Sequence, residues 1–133
     1  MVRLRFKVEV AVSSTTAEDR DLGNISAELV CDSQGEGGSW KTKVVAGASD
    51  VQIQLPNVAS ATFLFLKTTA VSANDTPVSL TFKRETVGGE AFVVAPLSST
   101  REGFWLATSG LTALYCSNAG AVDMEVIVFT AGD

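Results

Sequence analysis

The sequence predicts an all-β protein, an antiparallel β-sandwich of jelly-roll type with nine or ten short strands and no substantial helix. Three observations carry this. Apolar residues recur with period two along most of the chain. Strand-like runs follow one another about every ten residues, separated by Gly, Ser and Asn, which is the spacing of sandwiches and barrels. The hydrophobic fraction of 46% in 133 residues supplies one core without disulfides or metals, so residues 1–133 read as a single domain.

The elements follow in order. Leu4, Phe6, Val8, Val10 and Val12 alternate with Arg3, Arg5, Lys7 and Glu9, giving a long half-buried strand over residues 3–12. Residues 15–20 could open one helical turn, since Thr15 and Glu18 stand at capping-box spacing, or form a loop. Strands over residues 26–31 and 40–45 flank a loop from Asp32 to Gly38, and residues 51–55 alternate until Pro56-Asn57. Residues 61–66 (Ala-Thr-Phe-Leu-Phe-Leu) are apolar on both faces, as a central strand would be. Further strands follow over residues 78–83, 91–95, 103–107 and 111–116. In the last run Val122, Met124 and Val126 face inward, and then Ile127, Val128 and Phe129 fill both faces. Gly88-Gly89, Ser109-Gly110 and Asn118-Ala119-Gly120 are turn signals of hairpin type.

Composition narrows the function classes. Ten basic against fifteen acidic residues give a net charge of −5, which argues against nucleic acid as a partner. The chain has no histidine, which excludes Ser–His and Cys–His catalysis within it and removes the usual zinc nitrogen ligand. Arg3, Arg5, Lys7 and Glu9 interrupt every early apolar run, so neither a signal peptide nor a membrane span is expected, and synthesis in a cytosol is. Cys31 and Cys116 lie in apolar strand-like runs and read as buried thiols, with a disulfide across the sandwich or a reactive pair as alternatives.

Candidate sites are few. Glu18, Asp19, Asp21, Gly23 and Asn24 form an acidic stretch that reads as a solvated loop, with calcium as the alternative. Asp123 and Glu125 share a strand face, and pairing with a basic strand is the expected use of such charges. In Phe104-Trp105 one ring must leave the core side, for the sandwich edge, a subunit interface or a sugar-stacking site that Trp40 and Tyr115 could also serve. The basic stripe Arg3, Arg5 and Lys7 either balances Asp123 and Glu125 on a neighbouring strand or meets an acidic partner. Arg3, Arg5, Lys7, Phe104 and Trp105 are therefore the candidate partner interface; no catalytic, cofactor or metal residue is assigned.

The order of runs from Asp50 to Asp133 adds a likeness. An apolar strand with Lys67-Thr68-Thr69 is followed by residues 77–83, 91–96, Gly103-Phe104-Trp105, 110–118 and a closing strand to Ala131-Gly132-Asp133. In strand order and texture this resembles small β-sandwich structural proteins of tailed bacteriophages, the head decoration (cement) and tail-associated proteins. The resemblance carries no functional residue over. It implies a non-enzymatic virion component without a cofactor, made in the host cytoplasm, commonly a homotrimer that binds another virion protein as well as itself. A carbohydrate- or receptor-binding module is the alternative.

Overall fold

The computed structural model describes residues 2–13, 21–33, 36–56, 58–97, 102–107 and 110–132. Among the described residues it is all-β, with strands β1 (Val2–Ser13), β2 (Asp21–Ser33), β3 (Glu36–Val44), β4 (Val51–Ile53), β5 (Ala61–Ala70), β6 (Leu80–Arg84), β7 (Ala91–Val94), β8 (Gly103–Ala107), β9 (Leu114–Ser117) and β10 (Met124–Gly132). Two four-stranded antiparallel sheets run β3-β10-β5-β8 and β4-β9-β6-β7, and β1 and β2 pair only with each other. The inner faces of the two larger sheets share one core, a sandwich-like arrangement.

Period-two alternation builds that core. Met124, Val126 and Val128 of β10, Leu64 and Leu66 of β5, Leu80 and Phe82 of β6, and Leu114 and Cys116 of β9 are fully buried, while their sequence neighbours lie on the outer faces, where Phe63 is nonetheless buried. The long edge of the sandwich is closed by rings. Trp105 of β8 stacks on Phe92 of β7 at 4.3 Å between centroids, and Phe92 stacks on buried Phe82 at 5.5 Å.

Cys116 carries a free, buried thiol whose pKa burial pushes up to about 12. The side chain of Cys31 lies outside the described residues. A thiol reagent is expected to leave Cys116 unlabelled in the native protein and to label it in denaturant, read by mass spectrometry of the Cys116 peptide.

Several expectations are corrected. The first strand is not part of the sandwich; its neighbour is β2, with Lys7 opposite Glu28 and Arg3 opposite Asp32. Residues 21–24 are not a loop. They continue β2 opposite Ala11, Val12 and Ser13, because a long partner strand supplies ladder bonds that override the weak strand propensity of Asp, Gly and Asn. Likewise β3 begins at Glu36, well inside the expected loop. Residues 18–20 lie outside the described residues.

Of the three turn signals only Gly88-Gly89 joins hairpin partners, β6 and β7. A Cβ on Gly89 would stand 2.1 Å from the Arg84 carbonyl oxygen, so only glycine closes this turn. Gly110 and Asn118-Ala119-Gly120 lie on passages between sheets, from β8 to β9 and from β9 to β10; Ser109 lies outside the described residues.

Side chains fix these passages. Asn118, fully buried, donates from Nδ2 to the carbonyls of Val44 (3.0 Å) and Val122 (2.8 Å) and accepts from the Gly120 amide (3.0 Å). Glu85, in the left-handed region at φ 64°, accepts at its carboxylate from the amide and hydroxyl of Thr112, tying the β6–β7 turn to the strand entering β9. The Thr112 hydroxyl holds the Glu85 pKa below its ordinary 4.5, opposed by desolvation and helped by the Thr112 and Ala113 amides and by Arg84. A depressed carboxylate stabilises fully above its unfolded pKa and loses that contribution as pH falls through the folded value. Wild-type Tm is therefore expected to fall more than that of Glu85→Gln between about pH 5 and about pH 3, by a margin kept small by solvent.

Candidate functional site

The two sandwich sheets present unlike outer faces, and the difference is set residue by residue. On the β4-β9-β6-β7 sheet the register puts Gln52, Tyr115, Lys83 and Ala91 in one row and Ser117, Thr81 and Val93 in the next. That surface is largely polar, as water requires. Its Lys83 ammonium is held 2.9 Å from the Asp50 carboxylate.

On the β3-β10-β5-β8 sheet the same alternation turns aromatic and aliphatic residues outward. Phe129 lies opposite Phe65, Phe65 opposite Leu106, and Lys67 opposite Phe104. The Phe65 ring stacks on Phe104 at 5.8 Å and lies 6.2 Å from Phe129, so one aromatic row crosses β8, β5 and β10. Phe104, Leu106 and Phe129 remain 41%, 37% and 37% exposed. Beside the row, Ser39, Trp40, Lys41, Ile127 and Phe129 line a shallow depression of about 470 Å³.

The charges described on this face are paired, including Lys67 of central β5, which lies opposite Phe104 and Ile127. Lys67 meets Glu102 at 2.8 Å, Lys41 meets Glu125 at 3.8 Å and Lys43 meets Asp123 at 2.9 Å. The Ala46 amide (2.9 Å from Oδ1), and then Lys43, lower the Asp123 pKa. The arrangement is an exposed aromatic row bordered by ion pairs, features that protein interfaces share. The chain matches no protein-family model, no curated protein and no solved structure.

Each residue singled out in the sequence has a place in this geometry. Phe104 is the ring that leaves the core, while Trp105 turns inward to seal the edge against Phe92. Trp40 lies opposite Val128 on edge strand β3 and is 49% exposed; Tyr115 belongs to the other, polar face. The expected pairing of Arg3, Arg5 and Lys7 with Asp123 and Glu125 across adjacent strands is overturned, because β10 is flanked by β3 and β5 and those carboxylates meet lysines of β3. Lys7 is exposed; the side chains of Arg3 and Arg5 lie outside the described residues. The stripe and the aromatic row are therefore on different sheets.

The sequence alone did not single out Phe65, Leu106 or Phe129 as one surface. Residues 61–66 and Ile127–Phe129, apolar on both faces, did imply apolar patches and self-association, but not that Phe65 and Phe129 share one row. The register that joins them spans more than sixty residues of chain, from Phe65 to Phe129.

Proposed function

We propose that this chain is a non-enzymatic structural component of a tailed-bacteriophage particle, a capsid decoration or stabilising protein that assembles through the outer face of its β3-β10-β5-β8 sheet. The aromatic row of Phe104, Phe65 and Phe129 carries this reading, because contiguous exposed apolar surface rimmed by polar residues marks contact sites in soluble proteins. Phenyl rings with Leu106 and Ile127 offer packing without hydrogen-bonding handles, which suits a protein partner better than a sugar.

Strand order supports the finer architecture. Counted from β3, one sheet holds the first, eighth, third and sixth strands and the other the second, seventh, fourth and fifth. We read this as a jelly roll of eight strands, an architecture that serves viral capsid and lectin domains alike. Fold therefore leaves the choice to the site. The half-exposed Trp40 at the shallow depression favours, as a second reading, a carbohydrate- or receptor-binding module.

Sedimentation velocity from about 1 to 100 µM tests self-assembly, with a trimer as the expected species. The Phe104→Ser, Phe129→Ser double variant is expected to sediment as a monomer and to lose co-sedimentation with purified tailed-phage particles. A monomeric wild type that ignores the particles would defeat the proposal. Saturable quenching of tryptophan fluorescence by one member of a sugar panel, lost in Trp40→Ala, would establish the second reading instead.

A further inference from the structure

Strands β7 and β8 end opposite sheets of the sandwich, and the seam between them holds a recess of about 200 Å³ lined by Arg84, Glu90, Ala91, Phe92 and Trp105. The β6–β7 hairpin builds most of it. Phe82 faces Phe92 across the ladder and Lys83 faces Ala91; Arg84 and Glu90 come next, where the strands part toward the Gly88-Gly89 turn. Arg84 lies opposite fully buried Leu114 of β9, so its side chain starts on the core-facing side, in line with Phe82. It runs outward along its methylenes and stays half-buried, while Glu90 is exposed.

Two kinds of surface meet in this recess. Phe92 and Trp105, both half-buried, form an aromatic wall with centroids 4.3 Å apart and ring planes at 27°. Arg84 brings a planar fork of N–H donors, and Glu90 a carboxylate that only accepts. The wall is separate from the outer aromatic row, because Trp105 and Phe104 leave β8 on opposite faces.

We infer that the recess binds one neutral pyranose ring, the terminal residue of a glycan. Size limits the ligand first. Drug-sized molecules occupy pockets of roughly 300–1,000 Å³, so a smaller recess takes a single ring. Shape and polarity then agree. The C–H face of a pyranose lies flat on an aromatic side chain, and its hydroxyls both donate and accept. One such ring satisfies the guanidinium with its oxygens and the carboxylate with its O–H groups. An anion would face Glu90 and a cation Arg84, each a like charge, which favours a neutral ligand. A zwitterion would have to shed water from two charges for weak pairs at an open site, and it offers the wall no flat apolar face. This inference is independent of the self-assembly proposed above. It also differs from a sugar site at Trp40, since β3 and β8 lie at opposite edges of their sheet.

The chain's two tryptophans are Trp40 and Trp105, so Trp40→Phe leaves one indole, the one in the recess. Titrating that variant with glucose, galactose, mannose and N-acetylglucosamine to about 100 mM is expected to give a saturable change in Trp105 fluorescence with at least one sugar. The expected Kd is on the order of 1 mM, as suits a ligand of about a dozen heavy atoms. In the same background Glu90→Ala, at an exposed position, and Arg84→Met, which keeps most of the methylene stem, should each weaken binding at least about fivefold. The Tm of the unliganded Glu90→Ala variant should stay within about 3 °C of its parent, so that a lost response reports the site and not the fold. No saturable response to any of the four sugars would overturn the site. So would a response that survives both substitutions, or one given by free serine or leucine and by no sugar. Sedimentation reads self-assembly separately, so each proposal stands or fails alone.

Discussion

Replacing Phe82 by alanine is expected to destabilise the protein by about 4 kcal/mol and to lower Tm by roughly 13 °C. Phe82 is fully buried at the centre of β6, opposite Cys116 on one side and Phe92 on the other. Its loss opens a cavity and also removes the inner member of the Phe82–Phe92–Trp105 stack that closes the sandwich edge. Denaturant unfolding checks it: the midpoint should fall while the slope stays constant, since the same surface is exposed on unfolding. A cost below about 2 kcal/mol would mean the edge collapses onto the vacancy and the stack is not rigid. Trp105→Ala, at a half-buried position, should cost less than Phe82→Ala.

Asn118→Ala is expected to cost about 3 kcal/mol, close to 10 °C in Tm, although the residue sits in a connection between strands. The substitution removes two donors and one acceptor at once. It leaves the carbonyls of Val44 and Val122 without the side-chain partner that joins the end of β3 to the approach to β10. Water reaching the vacated site would soften the effect; Asn118→Asp would not benefit in the same way, because a carboxylate cannot donate to either carbonyl. Thermal unfolding of the two variants should therefore rank aspartate at or below alanine.

The sequence revealed much about local elements and little about their partners. Alternation marked the strands that became β4, β6 and β10 because one face of each is buried and burial writes period two into the residues; β5, β7, β8 and β9 were legible only as less regular apolar runs between turn residues. It misplaced β1, since a ribbon with one apolar face has the same pattern as an edge strand of a sandwich. The hairpin reading held at Gly88-Gly89 and failed at Gly110 and Asn118-Ala119-Gly120 for a related reason. A glycine or asparagine reports that the chain bends at Gly110 or Asn118, whereas the sheet it bends toward is decided by residues far away. Asn118 itself looked like a turn residue and proved to be a buried three-bond anchor. At the candidate site, Phe104 and Trp105 were legible as a pair with opposed directions; the row formed with Phe65 and Phe129 was not, because it exists only across strands.

The strand order has a kinetic consequence. Both sandwich sheets are completed from the middle by late strands: β10 inserts between β3 and β5, and β9 between β4 and β6. During synthesis β3 and β5 emerge without the strand that joins them, so neither half-sheet can close until β10 has left the ribosome. Pairings of such long sequence separation are slow to form, on a scale of milliseconds to seconds, because loop closure precedes any reward. Throughout that interval the edges of β3 and β5 are open to wrong partners, including those of other nascent chains. Expression at low temperature, or with a holdase chaperone, should therefore raise the soluble yield.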